Sequence, residues 1–210
     1  MTTTHRPGRR RIIPKDAILY APGDPTHLLW RLEEGVVRQC LYLADGQRVI
    51  AGFAFPGDVL GLSDDRPVLT AEAATSALIF EWIVDPREEA ALRIGLMSQA
   101  LHRAFLTLAI RSRRHARARV AAFFLDLAER RLGAEFRLPI PLIDLADHLG
   151  LTLHTISRTL TEFRRCGLIR QTRGRMFVVT QIERLRDIAN EGPAAHAKEP
   201  LPVAPQRITH

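Results

Sequence analysis

Cysteine and long apolar runs are both scarce in this chain. Its 210 residues include only two cysteines, Cys40 and Cys166. Two thiols are too few for a four-cysteine iron–sulfur cluster or a four-cysteine zinc site, so both are excluded. No apolar stretch approaches the roughly 20 residues that span a bilayer, and no apolar signal-peptide core follows the basic N-terminus. We therefore expect a cytoplasmic protein with no membrane partner.

Positive charge is concentrated in one part of the chain. The formal net charge is +7. Residues 1–112 hold 13 basic and 13 acidic residues, whereas residues 113–192 hold 15 basic and 9 acidic residues, a net charge of +6. A phosphate-binding surface needs such a local excess of cations. A solvated basic face is the alternative interpretation.

Residues 142–161, LIDLADHLGLTLHTISRTLT, predict two short amphipathic helices joined by a tight turn. Gly150 stands where the first helix should end, because glycine adopts the left-handed conformation at little cost. Thr152 is placed to N-cap the second helix. The small Ala146 lets the second helix approach the first closely, and Ile156 begins its apolar face. The pattern is that of a helix-turn-helix, although paired apolar helices also occur in other helical proteins.

The second helix exposes polar side chains on the half that would read base edges. The candidates for DNA contact are Thr152, His154, Thr155, Ser157, Arg158 and Thr161. The segment that follows, GLIRQTRGRMFVV (167–179), predicts two short strands around a turn at Arg173-Gly174. Arg170, Arg173 and Arg175 suit the phosphate backbone. A helix-turn-helix followed by such a hairpin is a winged helix, so double-stranded DNA is the expected partner.

The N-terminal half predicts short strands between evenly spaced glycine turns. Gly23, Gly35, Gly46 and Gly57 lie 12, 11 and 11 residues apart, as in a β-sandwich or small barrel. We assign residues 1–11 to a disordered basic arm and residues 12–85 to a β-barrel. A metal-dependent enzyme of the cupin type needs several histidines on strands, whereas this barrel contains only His27.

Residues 86–114 predict one long helix with two apolar faces. One face repeats at steps of three and four, as in a two-stranded coiled coil, and comprises Ile94, Met97, Leu101, Ala104 and Leu108. The other face is expected to pack on the barrel and comprises Leu92, Leu96, Phe105, Leu106 and Ile110. We therefore predict a homodimer; the alternative is a single helix lying on the barrel. A second helix near 116–132 would open the DNA-binding domain (115–190), and residues 191–210 predict a disordered tail.

This order of parts resembles the Crp/Fnr family of bacterial transcription regulators over residues 12–190. The matching stretches are LEEGVVRQCLYLADGQRVIAGFAFPGDVLGL (32–62), TAEA (70–73) and LADHLGLTLHTISRTLTEFRR (145–165), of which the last two are most similar to the FixK and Fnr branch. The resemblance implies an α+β fold, with an N-terminal double-stranded β-helix (cupin-like) barrel, a long dimerisation helix and a C-terminal winged helix-turn-helix. It also implies RNA polymerase as a partner.

The resemblance assigns roles to individual residues of the second helix. In that branch this helix usually carries Glu, followed three and four residues later by Ser and Arg. Ser157 and Arg158 match the latter two, whereas His154 stands in the place of Glu. Arg158 matches the residue that would read guanine through O6 and N7. The implied operator is an inverted repeat resembling TTGA, a spacer and TCAA.

Cofactor chemistry is restricted by the same comparison. Cyclic-nucleotide-binding members carry an Arg-Ser pair, but here Arg66 precedes proline, and Asp64 and Asp65 would repel a phosphate. Fnr-type cluster cysteines are missing as well. We expect no cofactor and leave any small-molecule effector unknown; Cys166, near arginines, is a candidate redox thiol. The alternatives are a ligand- or haem-sensing regulator of the same family, a scaffold without DNA binding and, less favoured, a cupin-type enzyme.

Overall fold

The structure is a computed structural model that describes residues 8–24, 28–61, 67–83, 86–130, 135–138, 140–172 and 176–190. Its N-terminal part consists of two four-stranded antiparallel sheets. In spatial order, one sheet contains β1 (Gly8–Ile13), β8 (Ala77–Ile83), β3 (Leu28–Glu34) and β6 (Val59–Leu60). The other contains β2 (Ile18–Tyr20), β7 (Thr70–Ala73), β4 (Val37–Tyr42) and β5 (Arg48–Ala54).

Alternating apolar side chains of these strands form the barrel core. Leu32 of β3, Val37 of β4 and Ile79 of β8 are buried in one cluster. At least one turn glycine is sterically required. Gly35 joins β3 to β4 with φ +85°, and an added Cβ there would lie 2.4 Å from the carbonyl oxygen of Ser76.

Strand β1 corrects the predicted N-terminal arm. The strand begins at Gly8, so residues 8–11 belong to the sheet rather than to a disordered segment. The guanidiniums of Arg9 and Arg11 pair with Glu81 of β8 at 2.8 and 3.1 Å, and Trp30 Nε1 donates to the same carboxylate at 2.9 Å. By itself, a short basic run is typical of a disordered, solvated segment. The prediction was wrong because the carboxylate and indole that pair with these arginines are distant in sequence.

Helix α1 (Pro86–Arg111) packs on the barrel through only part of its predicted inner face. Leu92 and Leu96 contact the cluster of Leu29 and Trp82, and Ile110 is buried. Phe105 and Leu106, however, are exposed, which corrects their assignment to the barrel. In a single chain the whole predicted seam is exposed too: Ile94, Met97, Leu101, Ala104 and Leu108. None of the helices described is long and apolar enough to cross a bilayer.

The C-terminal part is a helical domain with a small sheet. Its elements are α2 (Ala116–Arg130), β9 (Glu135–Arg137), α3 (Leu142–Leu149), α4 (Leu153–Arg165), β10 (Ile169–Thr172), β11 (Met176–Val179) and α5 (Ile182–Asn190). Strands β10 and β11 form the predicted hairpin, and β9 adds a third strand that the sequence analysis missed. Phe124, Ile156 and Phe163 are fully buried, and their cluster continues into the barrel at Ile50 and Phe53.

Several predicted features lie outside the described residues. These are residues 1–7, the tail 191–210, His27, Asp64, Asp65 and Arg66, and the turn arginines Arg173 and Arg175.

Candidate nucleic-acid interface

The turn between α3 and α4 has the geometry expected from its glycine. Gly150 adopts φ +63°, and its N–H donates to the carbonyl of Asp147 at 3.3 Å. The next N–H, from Leu151, donates to the carbonyl of Ala146 at 2.9 Å. A side chain at Gly150 would have room, yet the left-handed backbone would be strained by any Cβ. The glycine therefore sets the sharp change of direction between the two helices.

Thr152 starts α4 as a side-chain cap. Its Oγ1 accepts the N–H of Thr155 at 3.1 Å, and the two threonine hydroxyl oxygens lie 2.9 Å apart. This confirms the predicted N-cap. The same contact occupies both hydroxyls within the protein, so any base contact by Thr152 or Thr155 must share these oxygens. Their DNA contacts stay predictions.

The outward face of α4 presents the remaining candidates. His154, Ser157, Arg158 and Thr161 are exposed, whereas Ile156 is fully buried beneath them. The apolar and polar sides of this helix are therefore separated as the sequence predicted. The exposed groups combine a guanidinium, an imidazole and two hydroxyls, which together can donate to and accept from base edges.

A contact between α4, the recognition helix of the helix-turn-helix, and the hairpin of β10 and β11, its wing, is not predicted by the sequence. Arg164 of α4 donates through Nη1 to Gln171 of β10 and through Nη2 to the hydroxyl of Thr161, both at 2.9 Å. The Thr161 hydroxyl donates in turn to the carbonyl of Ser157 at 2.9 Å. Arg164 thus links the hairpin to the candidate contact surface. No short-range sequence signal joins positions 164 and 171, because the pairing depends on how β10 folds back.

A polar groove runs beside α4 and brings in residues from the start of α2. His115 and Arg117 line it together with His154, Arg158 and Glu162. Arg117 Nε lies 3.2 Å from Glu162 Oε1. The cations at 113–119 were visible in the sequence only as part of the basic excess. The fold places one of these side chains, Arg117, next to the recognition helix, together with His115.

Arg119 of α2 supports the turn from behind. Its Nη1 lies 3.2 Å from the carbonyl oxygen of Leu149 and 3.3 Å from that of Gly150, and its Nε donates to the carbonyl of Arg113 at 2.8 Å. The last carbonyls of a helix have no partner within the helix. Arg119 therefore satisfies groups that the glycine turn leaves open.

We expect Arg119→Met to destabilise the DNA-binding domain. Methionine keeps much of the apolar stem but donates no hydrogen bond to the turn. Hydrogen bonds from a charged donor contribute about 1.5–3 kcal/mol each, and partial exposure reduces this, so we expect a loss of about 1–2 kcal/mol. Chemical denaturation of both proteins measures it. Arg114→Met, at an exposed position nearby, is the control and should change the free energy of unfolding little; equal losses in both variants would contradict the role of Arg119.

The two cysteines occupy different environments. Cys166 is exposed at the C-cap of α4. Cys40 is fully buried in β4, and burial raises the pKa of its thiol to about 11. Only Cys166 is therefore open to thiol reagents. Its proposed redox role stays a prediction.

Comparison with known proteins agrees with this architecture. Residues 118–188 match the family of Crp-like helix-turn-helix domains. The chain is 32% identical over 195 residues to the nitrogen fixation regulation protein FixK of Rhizobium meliloti, covering 90% of this chain and 88% of that protein. It is 35% identical to FixK of Bradyrhizobium diazoefficiens, covering 77% and 74%.

Solved structures extend the likeness to both domains. The structure of FixK2 from Bradyrhizobium japonicum superposes with a TM-score of 0.79 at 29% identity, covering 86% of this chain and 96% of that one. A transcriptional regulator of the CRP family from Thermus thermophilus gives a TM-score of 0.67 at 26% identity, covering 85% and 96%. From these relatives and the geometry of its helix-turn-helix, the chain belongs to the Crp/Fnr family of DNA-binding transcription regulators, on its FixK branch.

Proposed function

We propose that this regulator acts as a homodimer on an inverted repeat resembling TTGA, a spacer and TCAA. The observation that carries the proposal is the outward face of α4. Arg158, Ser157 and His154 are exposed there, within the region that holds the net charge of +6. Charge attracts the phosphate backbone without regard to sequence, while these side chains supply the base contacts that give specificity.

Arg158 is the proposed reader of guanine, through paired hydrogen bonds to O6 and N7. Ser157 and Thr155 would select the neighbouring thymine through its methyl group or O4. Exposed arginines of the wing and of the groove, such as Arg170 and Arg117, are suited to the phosphates. In a symmetric dimer, two such helices about 34 Å apart meet successive major grooves on one side of the duplex.

Dimerisation through α1 is supported by its exposed apolar stripe. In the single chain, Ile94 is 70% exposed, Leu101 55% and Leu108 64%. Phe105, also exposed, widens the stripe. Apolar side chains repeating at steps of three and four form the seam of two-stranded coiled coils, so a second copy of α1 is the expected cover.

The remaining parts of the proposal concern fold detail and chemistry. The pairing orders β1-β8-β3-β6 and β2-β7-β4-β5 favour closure of the two sheets as a double-stranded β-helix. We infer a cytoplasmic, non-enzymatic regulator that works with RNA polymerase and without an iron–sulfur cluster or cyclic nucleotide. The low cysteine count and the Arg-Pro sequence at Arg66 support the last point.

A second candidate is a regulator of the same family that senses a small molecule. A cavity of about 320 Å³ lies between the barrel, α1 and α2 and is lined mainly by apolar side chains, among them Phe55, Leu69, Ile110 and Phe123. Cavities of this size and character bind small ligands. A visible spectrum and mass spectrometry of the purified protein under native conditions separate this candidate from the first, because a bound haem absorbs and any retained ligand adds mass.

Selection of bound DNA from a random pool tests the leading proposal. The purified protein should enrich an inverted repeat with two identical half-sites, and sedimentation should show two chains on each selected duplex. Enrichment of a single unpaired half-site would contradict the dimer. Recovery without any sequence preference would contradict specific recognition.

His154→Glu tests the position at which this chain departs from its branch. A neutral imidazole accepts through one nitrogen or donates through the other, so it tolerates bases that a carboxylate rejects. We expect a relaxed preference at one half-site position in the parent and a sharper preference in the variant. The measurement is binding to all four bases at each half-site position, at one fixed salt concentration. Identical base profiles would mean that His154 does not contact a base.

A further inference from the structure

A cluster of charged side chains lies at the boundary between the barrel and the helix-turn-helix. Arg38 of β4 and Arg48 of β5 reach across to Asp144 and Asp147 of α3. In these four residues, here called the boundary cluster, the paired groups are separated by about 100 positions in sequence. None of them faces outward with the candidate base contacts of α4, so DNA recognition by itself does not explain them.

Asp144 is held from two directions. Its Oδ2 accepts from Arg38 Nη1 at 2.9 Å, and its Oδ1 accepts from Arg48 Nη2 at 3.0 Å. Asp144 is only 2% exposed. A buried carboxylate is costly unless it is paired and hydrogen-bonded. Because two arginines on neighbouring strands each take one oxygen, the pairing fixes both the position and the rotation of α3 on the barrel.

Two further contacts within the barrel hold Arg38 in place. Arg38 Nε donates to Glu72 at 2.8 Å and Nη2 to Asp16 at 3.1 Å. Burial by itself would lower the pKa of Arg38, but the hydrogen bonds to Glu72 and Asp144 and the attraction of their negative charges together outweigh burial and raise it. The hydroxyl of Tyr42 donates to the other oxygen of Glu72, which raises the pKa of Tyr42 to about 12. The barrel therefore presents Arg38 to α3 in a fixed, permanently charged form.

A second contact one helical turn later fixes the same face of α3. His148 is buried, and its Nδ1 lies 3.1 Å from the carbonyl oxygen of Ile50 in β5. Its ring meets the ring of Phe53 edge-on at 5.1 Å between centroids. Asp144 and His148 are four residues apart and therefore share one side of the helix. Because hydrogen bonds and ion pairs are directional, the contacts of Asp144 and His148 restrict the orientation of α3 on the barrel more than an apolar patch alone would.

We infer that the boundary cluster is a positioning device, in which Arg38 and Arg48 set the orientation of the recognition helix relative to the barrel and thereby the spacing between half-sites that the dimer accepts. The inference rests on the proposed function, since spacing matters only if two linked helix-turn-helix domains, here called the heads, bind DNA together. The four residues are positioning residues and contact no base. Loosening them would let each head tilt, so that repeats of the wrong spacing bind almost as well as the right one.

Charge reversal across the boundary gives a matched set of variants. Arg48 and Asp147 lie 2.8 Å apart, and their side chains are 27% and 32% exposed, which makes them the most accessible pair of the boundary cluster. Arg48→Glu and Asp147→Arg each place like charges at the boundary. The double variant restores opposite charges and keeps the net charge of the parent. Arg48→Gln replaces Arg48→Glu if the latter does not fold, because glutamine adds no negative charge beside Asp144.

Distance measurement between spin labels reads the orientation without DNA. Cys166, exposed at the end of α4, takes one label, and Ser76→Cys, at an exposed turn of the barrel, takes the other. Buried Cys40 stays unlabelled. Dilution with unlabelled chain isolates the distance within one protomer. We expect one narrow distance distribution in the parent, a broad one in each single variant and a narrow one again in the double variant.

Binding to operators with different spacer lengths tests the consequence for function. The full-length protein is measured on the selected repeat and on repeats with the spacer lengthened or shortened by about two base pairs, a fraction of the helical turn that separates the two heads. Each single variant should bind the preferred repeat about ten-fold more weakly, because linked binding depends on how well the two heads match the span of the site. Discrimination against the altered spacers should largely disappear, and the double variant should recover it. General destabilisation would weaken all sites alike and leave the spacer preference intact.

Unchanged distances and unchanged spacer preference in the single variants would overturn the inference. If the double variant has distance distributions as broad as those of the single variants, the pairing of Arg48 with Asp147 does not set the orientation. If the parent binds no inverted repeat at all while the distances broaden as expected, the proposed operator is wrong but the boundary cluster still orients α3. The two failures are therefore distinguishable.

Discussion

Replacing Arg158 by alanine is expected to abolish specific DNA binding while leaving the fold intact. The side chain is exposed on α4, and exposed substitutions usually change stability by no more than about 0.5 kcal/mol. Loss of one paired guanine contact costs about 1–3 kcal/mol, and a dimer loses one in each half-site, so we expect about 2–6 kcal/mol in total. Titration of the selected repeat at fixed salt measures the loss, and thermal unfolding checks the fold.

Arg170→Ala provides the matched control for Arg158→Ala. Arg170 is also exposed, but it lies on β10 of the wing, where it is suited to a phosphate. Its loss should weaken every sequence to a similar extent and reduce the salt dependence by about one unit of slope per contact. Arg158→Ala should instead equalise the four bases at the guanine position. Retained preference for guanine in Arg158→Ala would show that another residue reads that base.

Leu101→Glu is expected to convert the dimer into a monomer. Leu101 is more than half exposed in the single chain, so a glutamate there leaves the protomer's own core undisturbed. Across a two-fold axis, however, it would place two like charges in an apolar contact. Without the link between two heads, affinity for the inverted repeat should fall about 100-fold or more, since linkage typically contributes a factor of about 10² to 10⁴. Sedimentation and operator titration are the two measurements.

His102→Glu is the control for Leu101→Glu. It adds a carboxylate at the neighbouring exposed position of α1, about 100° around the helix from the seam. That variant should remain a dimer and bind the operator as the parent does. If Leu101→Glu stays dimeric, the two chains associate through another face of the molecule.

Local signals in the sequence were sufficient to predict the helix-turn-helix formed by α3 and α4. Gly150, Thr152 and the spacing of Ile156 and Phe163 act over a few residues, through left-handed backbone, side-chain capping and helical periodicity. The structure accordingly has the turn, the cap and the buried face where the sequence predicted them. The exposed stripe of α1 follows from the same periodicity. These features depend on interactions within one helix or between adjacent helices.

Tertiary structure alone decided the partners of the charged residues. The basic N-terminus is predicted from the sequence as a disordered arm, yet Arg9 and Arg11 belong to a strand that pairs with β8, and both guanidiniums pair with Glu81. Nothing local distinguishes Asp144 from an ordinary surface aspartate of a helix, but folding buries it between two barrel arginines. A helix's apolar positions recur every three or four residues, so the sequence itself shows them. An ion pair between residues about 100 positions apart is specified by a single contact. It forms because burying a charge without a partner is costly. That cost arises only when the two domains pack against each other, so the sequence read along the chain gives no sign of it.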